Sequence, residues 1–166
     1  MALGLAQSQA NVGNDNLMPT YARNKKATFN YSIEGHIEAG LVLSGHEVKS
    51  IRAGSASLDG AYVTIRGGEG YLRNAYIGKY KQASNLEGYD ESRERKLLLH
   101  KSEIIKLLDQ TKGKGLTLIP LELYTAKQRI KLKVGLGKGK KKFDKRETIK
   151  NKETKRRIER TIRTRV

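Results

Sequence analysis

Apolar residues at Phe29, Tyr31 and Ile33 alternate with polar ones, the period of a half-buried strand. Gly35 permits a turn after it, and Ile37 to Leu43 reads as a second strand. Ser44 and Glu47 stand three residues apart, the spacing of a capping box. A short helix is therefore expected from Ser44, with Val48 and Ile51 on one face and Gly54 at its end. Tyr62 to Ile65 is aromatic and β-branched, Gly67-Gly68 supplies a turn, and Tyr71 to Ile77 returns, which is a hairpin signature. Residues 81–92 are polar and read as a loop. Beyond it Leu97, Ile104 and Leu108 fall at helical spacing. Ser102 offers a later start for a shorter helix, and Gly113 and Gly115 end either version. Two alternating segments follow: Leu116, Leu118, Leu121 and Leu123, then Ile130, Leu132 and Val134. Pro120 confines the first to a sheet edge or a bulge, because it has no N–H to give a ladder. Lys131 and Lys133 point away from Ile130 and Leu132.

The pattern amounts to about six short strands, one small helix and one larger one, and a domain of this size must avoid open sheet edges. A mainly β fold follows: a small OB-like antiparallel barrel with flanking helices. The first stretch, MALGLAQSQANVGNDNLMPT, has neither a basic start followed by an apolar run nor a membrane-spanning length of apolar residues. Its Gln, Asn, Ser and Gly content predicts a disordered extension over 1–20. The barrel is then expected over 21–137 and a basic tail over 138–166.

Charge changes this picture most. The chain carries 34 Lys and Arg against 17 Asp and Glu, a net charge of +17. From Lys138 onward, 29 residues hold 14 basic side chains and four acids, or +10 of that total. A polyanion partner is implied, either nucleic acid or an acidic membrane surface. The tail has Thr154, Ile158, Ile162 and Val166 four apart on one helical face, flanked by Lys155, Arg156, Arg160 and Arg163. That stripe is too thin to fold alone against its charge repulsion. A membrane-surface helix is expected to carry Trp, Phe or Leu there, so nucleic acid is the better match.

Catalytic chemistry finds no foothold. With no cysteine there is no disulfide framework and no thiolate metal site. His36, His46 and His100 lack ligand spacing. GLGKGKKK is not a P-loop, since no Gly-Lys-Ser/Thr follows, and Lys140 stands where a dinucleotide fingerprint needs its third glycine. A binding protein without metal or cofactor is the expectation, not an enzyme.

Five stretches in order sharpen it: NKKATFNY from Asn24, EAGLVLSGHEVKSIRAG from Glu38, AYVTIRGGEGYLRNAYI from Ala61, RKLLLHKSEI from Arg95 and KGKKKFDKR from Lys138. Over about residues 23–150 the chain resembles the SsrA-binding protein family, also called small protein B. The resemblance implies an OB-like barrel in a cytoplasmic, monomeric protein. It implies binding to the tRNA-like part of transfer-messenger RNA, and delivery of that RNA to stalled ribosomes, at the small-subunit decoding region and messenger channel. It implies RNA contacts at Asn24, Glu38, Leu98 and Lys131, and Lys133 beside Lys131 extends the basic surface. Glu38 suits such a face if it accepts from base amino groups or orders a neighbouring cation. Lys138, Gly139, Lys140, Lys141, Asp144, Lys145 and Arg146 match the ribosome-directed segment, and Ile158 and Ile162 supply the stripe beyond it. Asp144 is expected to pair with nearby basic groups. The tail is expected to be disordered when free and helical on the ribosome. Two departures stand out: GYDESRERK in the loop that leads to the Arg-x-Arg-Lys run, and Phe143 where His or Tyr is frequent. The rival reading is a general ribosome-associated or RNA-chaperone OB protein, which also carries basic tails.

Overall fold

The computed structural model describes residues 19–84 and 86–164. In chain order its elements are β1 (Thr20–Arg23), α1 (Ala27–Asn30), β2 (Tyr31–Leu41), α2 (Gly45–Arg52), β3 (Ala56–Ser57), β4 (Tyr62–Arg66), β5 (Glu69–Arg73) and β6 (Tyr76–Ile77). They continue as β7 (Arg95–Leu98), α3 (Lys101–Lys114), β8 (Thr117–Ala126), β9 (Arg129–Gly139) and α4 (Lys142–Thr164). Seven strands form one antiparallel sheet in the order β1-β8-β9-β2-β7-β5-β4, and β3 pairs with β6. Among the described residues the protein is thus mainly antiparallel β with four helices, and it has nine strands where the sequence pattern suggested about six.

Local chemistry explains most elements. Gly67 and Gly68 have φ of +59° and +75°, the left-handed pair that a tight β4–β5 turn requires. Alternation on β9 puts Ile130, Leu132 and Val134 into the core and leaves Lys131 and Lys133 on the other face. Ala39, Ile51, Leu72, Ile77, Leu123 and Leu132 are fully buried, and α2 and α3 contribute Ile51 and Leu107 to the same core. Each large side chain so buried contributes roughly 1.5–3 kcal/mol.

Four expectations are corrected. Phe29 belongs to the single turn α1, not to a strand, and Gly35 is not a turn. β2 is one strand of 11 residues, and its pairing with β9 shifts register between Ile33 and Gly35. Gly35 therefore marks a bulge, where a missing side chain eases the kink. Arg95–Leu98 is a strand, with Arg95 and Leu97 inward and Lys96 and Leu98 outward. α3 starts only after it: the Glu103 carboxylate accepts the His100 N–H at 2.8 Å, so His100 holds the cap position rather than Ser102. Pro120 lies at a register shift between Pro120 and Glu122 in β8, which is flanked by β1 and β9, so the bulge alternative holds.

The segment boundaries also differ. Residues 1–18 of the expected extension lie outside the described residues. Thr20 already pairs with Tyr124 across β1 and β8. At the other end, Lys138 and Gly139 pair with Ser32 and Tyr31 and so belong to the sheet, not the tail. α4 follows directly, and its side chains from Ile149 to Ile162 are exposed.

Candidate nucleic-acid interface

Strand register sets the site. In an antiparallel sheet, directly paired residues project to the same face, as do residues two apart on one strand. Leu98 of β7 pairs with Gly40 of β2, Gly40 pairs with Lys131 of β9, Lys131 with Tyr124 of β8, and Tyr124 with Thr20 of β1. A second row runs from Glu38 through Lys133 and Glu122 to Arg23. Four residues singled out in the sequence, Glu38, Leu98, Lys131 and Lys133, are thereby gathered on one outer face. Inside it, Thr20, Arg23, His36, Glu38, Glu122, Tyr124 and Lys133 line a shallow open groove.

The face is polar and organised. Glu38 accepts from the Lys131 ammonium and from the Tyr124 hydroxyl. Those two hydrogen bonds, Lys131's first, hold the Glu38 carboxyl below its ordinary range. Glu122 pairs with Arg23 at 2.9 Å and reaches Lys133 at 4.0 Å. Each acid thus steadies cations that can turn toward an incoming phosphate, and Glu38 fits the cation-ordering role of the two considered for it.

Gly40 separates Leu98 from Lys131. A Cβ there would come within 3.2 Å of Leu98 Cβ, so the bare glycine lets Leu98 lie over the strand. Leu98 is 56% exposed, and a concave surface beside it is lined by Leu41, Leu43, Val48, Ile130 and Lys131. An exposed leucine next to a lysine offers an apolar seat for an unstacked base with a charge for its phosphate.

Asn24 is turned inward. Its Oδ1 accepts the Ala27 N–H at 3.1 Å and its Nδ2 donates to the Pro120 carbonyl at 3.1 Å. The side chain is buried and both ends of its amide are engaged. This geometry commits the amide to the chain's own backbone.

Beneath the sheet lies a charged cluster that the sequence reading missed. Glu47 and Arg95 are fully buried. Glu47 Oε1 accepts from Arg95 Nε at 2.9 Å, Arg93 Nε at 2.9 Å and Tyr89 OH at 3.1 Å. Its Oε2 accepts from Arg93 Nη2 at 2.5 Å and the Ser44 N–H at 2.9 Å. Burial pushes the Glu47 pKa up, but the Arg93 and Ser44 hydrogen bonds and the Arg95 charge outweigh it and leave it at about 2. Arg95 spends its remaining donors on the Ala75, Arg93 and Glu91 carbonyls and on Tyr89 OH. The loop before β7 is tied down by these bonds, with Tyr89 facing inward and its ring edge-on to His46 at 4.7 Å. The sequence did carry a signal: Arg93 and Arg95 are two apart on an extended segment and so share one face.

The tail begins at the opposite end of β2. The Lys140 N–H donates to the Asn30 carbonyl at 2.8 Å and its ammonium to the Thr28 carbonyl at 2.9 Å. Asp144 accepts the Lys141 N–H at 3.2 Å, a cap bond at the start of α4. Lys145 and Arg146 follow in the first turns, and Ile158 and Ile162 are 55% and 60% exposed. Val166 lies outside the described residues. Among the described residues no cluster of three His, Cys, Asp or Glu is placed to hold a metal, and no helix is long and apolar enough to cross a membrane.

The family model described as SmpB protein matches residues 21–164. The chain belongs to the SmpB family. An SsrA-binding protein of Anoxybacillus flavithermus is 51% identical over 144 residues, covering 87% of this chain and 93% of the relative. That of Sulfurihydrogenibium sp. is 47% identical over 145 residues, covering 87% and 95%, and one from Staphylococcus aureus is 47% identical over 146 residues, covering 88% and 94%. Among solved structures, a chain described under "tmRNA-SmpB: a journey to the center of the bacterial ribosome" superposes with a TM-score of 0.60 at 41% identity, covering 75% of this chain and 85% of that one. The SmpB match spans the strands of this face from Tyr21 onward and the described length of α4.

Proposed function

We propose that this SmpB-family protein binds the tRNA-like part of transfer-messenger RNA and delivers it to stalled ribosomes for rescue. It acts as a binding protein, not an enzyme, and works as a monomer in the cytoplasm. The observation that carries the reading is the SmpB family match over residues 21–164, together with about half identity to an SsrA-binding protein over most of the chain. Glu38, Leu98, Lys131 and Lys133 contact the RNA, while Asn24, with its amide turned inward, supports the face. The sheet curls into an OB-like barrel, a reading supported by the approach of β4 to β8.

The tail is the ribosome-directed element. Lys138, Gly139, Lys140 and Lys141 form its root, and Asp144, Lys145 and Arg146 its first turns. The side chains of α4 from Ile149 to Ile162 are exposed, so burial offsets little of an ordering cost of about 1–2 kcal/mol per residue. The distal turns therefore exchange between helix and coil in the free protein. In the messenger channel, the tail's basic residues neutralise phosphates, release the counterions condensed on the RNA and fix the helix.

A reconstituted rescue reaction scored beside RNA binding tests this. Changing Ile158 and Ile162 to Asp removes the apolar stripe and sets charge against phosphate. Affinity for isolated transfer-messenger RNA is expected to stay within about threefold at fixed salt, while tagging of the stalled peptide is lost. Changing Lys145 and Arg146 to Ala gives the same split by removing charge-assisted contacts. Normal tagging by both variants, or no preference of the wild type for a tRNA-like RNA over an unstructured one, overturns the proposal.

A further inference from the structure

We propose that a second groove, between α2 and the loop after β6, holds a short single-stranded stretch of transfer-messenger RNA as it runs on from the Leu98 face. This rests on the proposed binding of that RNA. Ser50, Ala53, Ser55, Lys79, Tyr80 and Lys81 line the groove. The loop is pinned to the end of α2. The Ser50 hydroxyl donates to the Gly78 carbonyl at 2.5 Å, and the Gly78 N–H donates to the Ser55 carbonyl at 2.9 Å. A Cβ on Gly78 would collide with Ser55 Oγ, so the bare glycine allows this close approach. The Ala83 N–H donates to the Tyr80 carbonyl at 3.0 Å and closes a turn that sets Lys79, Tyr80 and Lys81 in place.

No carboxylate lines this groove. Tyr80 is half-buried, its hydroxyl donates to Gln82 Oε1 at 2.7 Å, and the Lys49 ammonium lies 5.7 Å from its ring centroid. Lys49, Lys79 and Lys81 are exposed, and among the described residues none of the three is in an ion pair. On the first face, by contrast, Lys131 and Arg23 are each held by a carboxylate. Three unneutralised ammonium groups around one phenol ring match a strand that offers a base to stack and phosphates beside it. A membrane surface is a poorer match, since no Leu, Ile, Phe or Trp lines the groove. α2 joins the two sites. Val48 and Arg52, four apart, border the concavity beside Leu98, while Lys49 and Ala53, on the next stripe, turn to Tyr80 and the second groove. A helix is about 10–12 Å across, so a strand seated at Leu98 reaches Tyr80 within a few nucleotides, passing Arg52.

The test uses the full-length protein and transfer-messenger RNA. Tyr80→Ala is expected to weaken binding about tenfold at fixed salt, while Tyr80→Phe, which keeps the ring, stays within about twofold. Changing Lys49, Lys79 and Lys81 together to Gln lowers the slope of log affinity against log salt by about 2, three contacts at about 0.7 each. Changing Lys106, Lys112 and Lys114 on α3 to Gln removes the same charge elsewhere and leaves that slope unchanged. The groove lysines are exposed, so their variant serves if Tyr80→Ala does not fold. The chain has no cysteine, so Ala53→Cys carries a single iron-chelate probe whose hydroxyl radicals cut RNA lying in the groove. Cuts in transfer-messenger RNA are expected in the complex of protein and RNA alone. Wild-type affinity and slope in the groove variants overturn the inference, as does an equal loss of slope in the α3 variant. Cuts that arise only in ribosomal RNA, once the ribosome is bound, also overturn it and give the groove to the ribosome. A wild type with no preference for a tRNA-like RNA over an unstructured one removes the proposed function and this inference with it. Intact preference with unaffected groove variants removes this inference alone.

Discussion

Replacing Glu47 by Gln keeps the shape of the side chain and removes its charge. Five donors converge on the Glu47 carboxylate, from Ser44, Tyr89, Arg93 twice and Arg95. An amide oxygen can serve those on one side only. If it takes the place of Oε1, the new NH2 group faces the Ser44 N–H and Arg93 Nη2, and both lose their acceptor. Arg95 stays charged and fully buried beside a neutral group. Breaking a buried pair in this way costs about 3–5 kcal/mol. A second route gives a similar size: a carboxyl held at about 2 instead of 4.5 stabilises the ionised native state by roughly 3 kcal/mol at neutral pH. Against a total of about 5–15 kcal/mol this is a large share. Urea titration followed by circular dichroism at pH 7 is expected to show a lower midpoint with unchanged slope. The pH dependence adds a signed check. Because the folded pKa lies below the unfolded one, Glu47's contribution is complete above about pH 4.5 and is lost as the pH falls toward 2. The wild type therefore loses part of its stability in that window, and Glu47→Gln loses less there. A variant within about 1 kcal/mol of the wild type, with the same slope between pH 4.5 and 2, refutes the reasoning.

Glu38→Ala tests whether an acid can help a face that binds phosphate. Simple repulsion predicts tighter binding, whereas losing the acceptor that aims Lys131 and Tyr124 is expected to weaken RNA affinity by about 1–3 kcal/mol, read by gel shift at one salt concentration. Truncation tests where the body ends. A chain ending at Lys141 is expected to keep the melting temperature and RNA preference of the body. One ending at Gly137 gives up the pairings of Ser32 and Tyr31 and the Lys140 bond to Asn30, each net hydrogen bond contributing about 0.5–1.5 kcal/mol, and should melt several degrees lower.

Features written in local chemistry were legible in the sequence. Gly67-Gly68 demanded a left-handed turn, Ser44 and Glu47 fixed the start of α2, and the lysines of β9 showed its outer face. Misreadings arose where local preference and tertiary context disagree. Leu97, Leu98 and Leu99 favour helix on propensity, and the alternation of β7 emerges only when Arg95 is known to point inward. No single-residue rule buries an arginine; that needs Glu47, 48 positions away, to be inside as well. The face itself was half visible. Glu38, Leu98 and Lys131 came from resemblance and Lys133 from strand alternation, but register alone brings them together, and register depends on bulges at Gly35 and Pro120 that periodicity does not reveal. Asn24 was the reverse case, a polar residue near a basic run whose amide turned out to be needed by its own backbone.

β2 also acts as a ruler. Its first residue, Tyr31, holds the last sheet residue before the tail, and Glu38, seven residues on, lies in the polar face. At about 3.3 Å per residue the two are separated by roughly 23 Å along a single strand. The reach from the RNA-facing surface to the root of the tail is thus a count of residues and not the result of a hinge. Removing two residues from β2 shortens that reach by about 7 Å and keeps Glu38 outward, whereas removing one turns Glu38 into the core. Outside the bulge between Ile33 and Gly35, where the ladder already absorbs an extra residue, the spacing between the two ends of this protein therefore changes in steps of two.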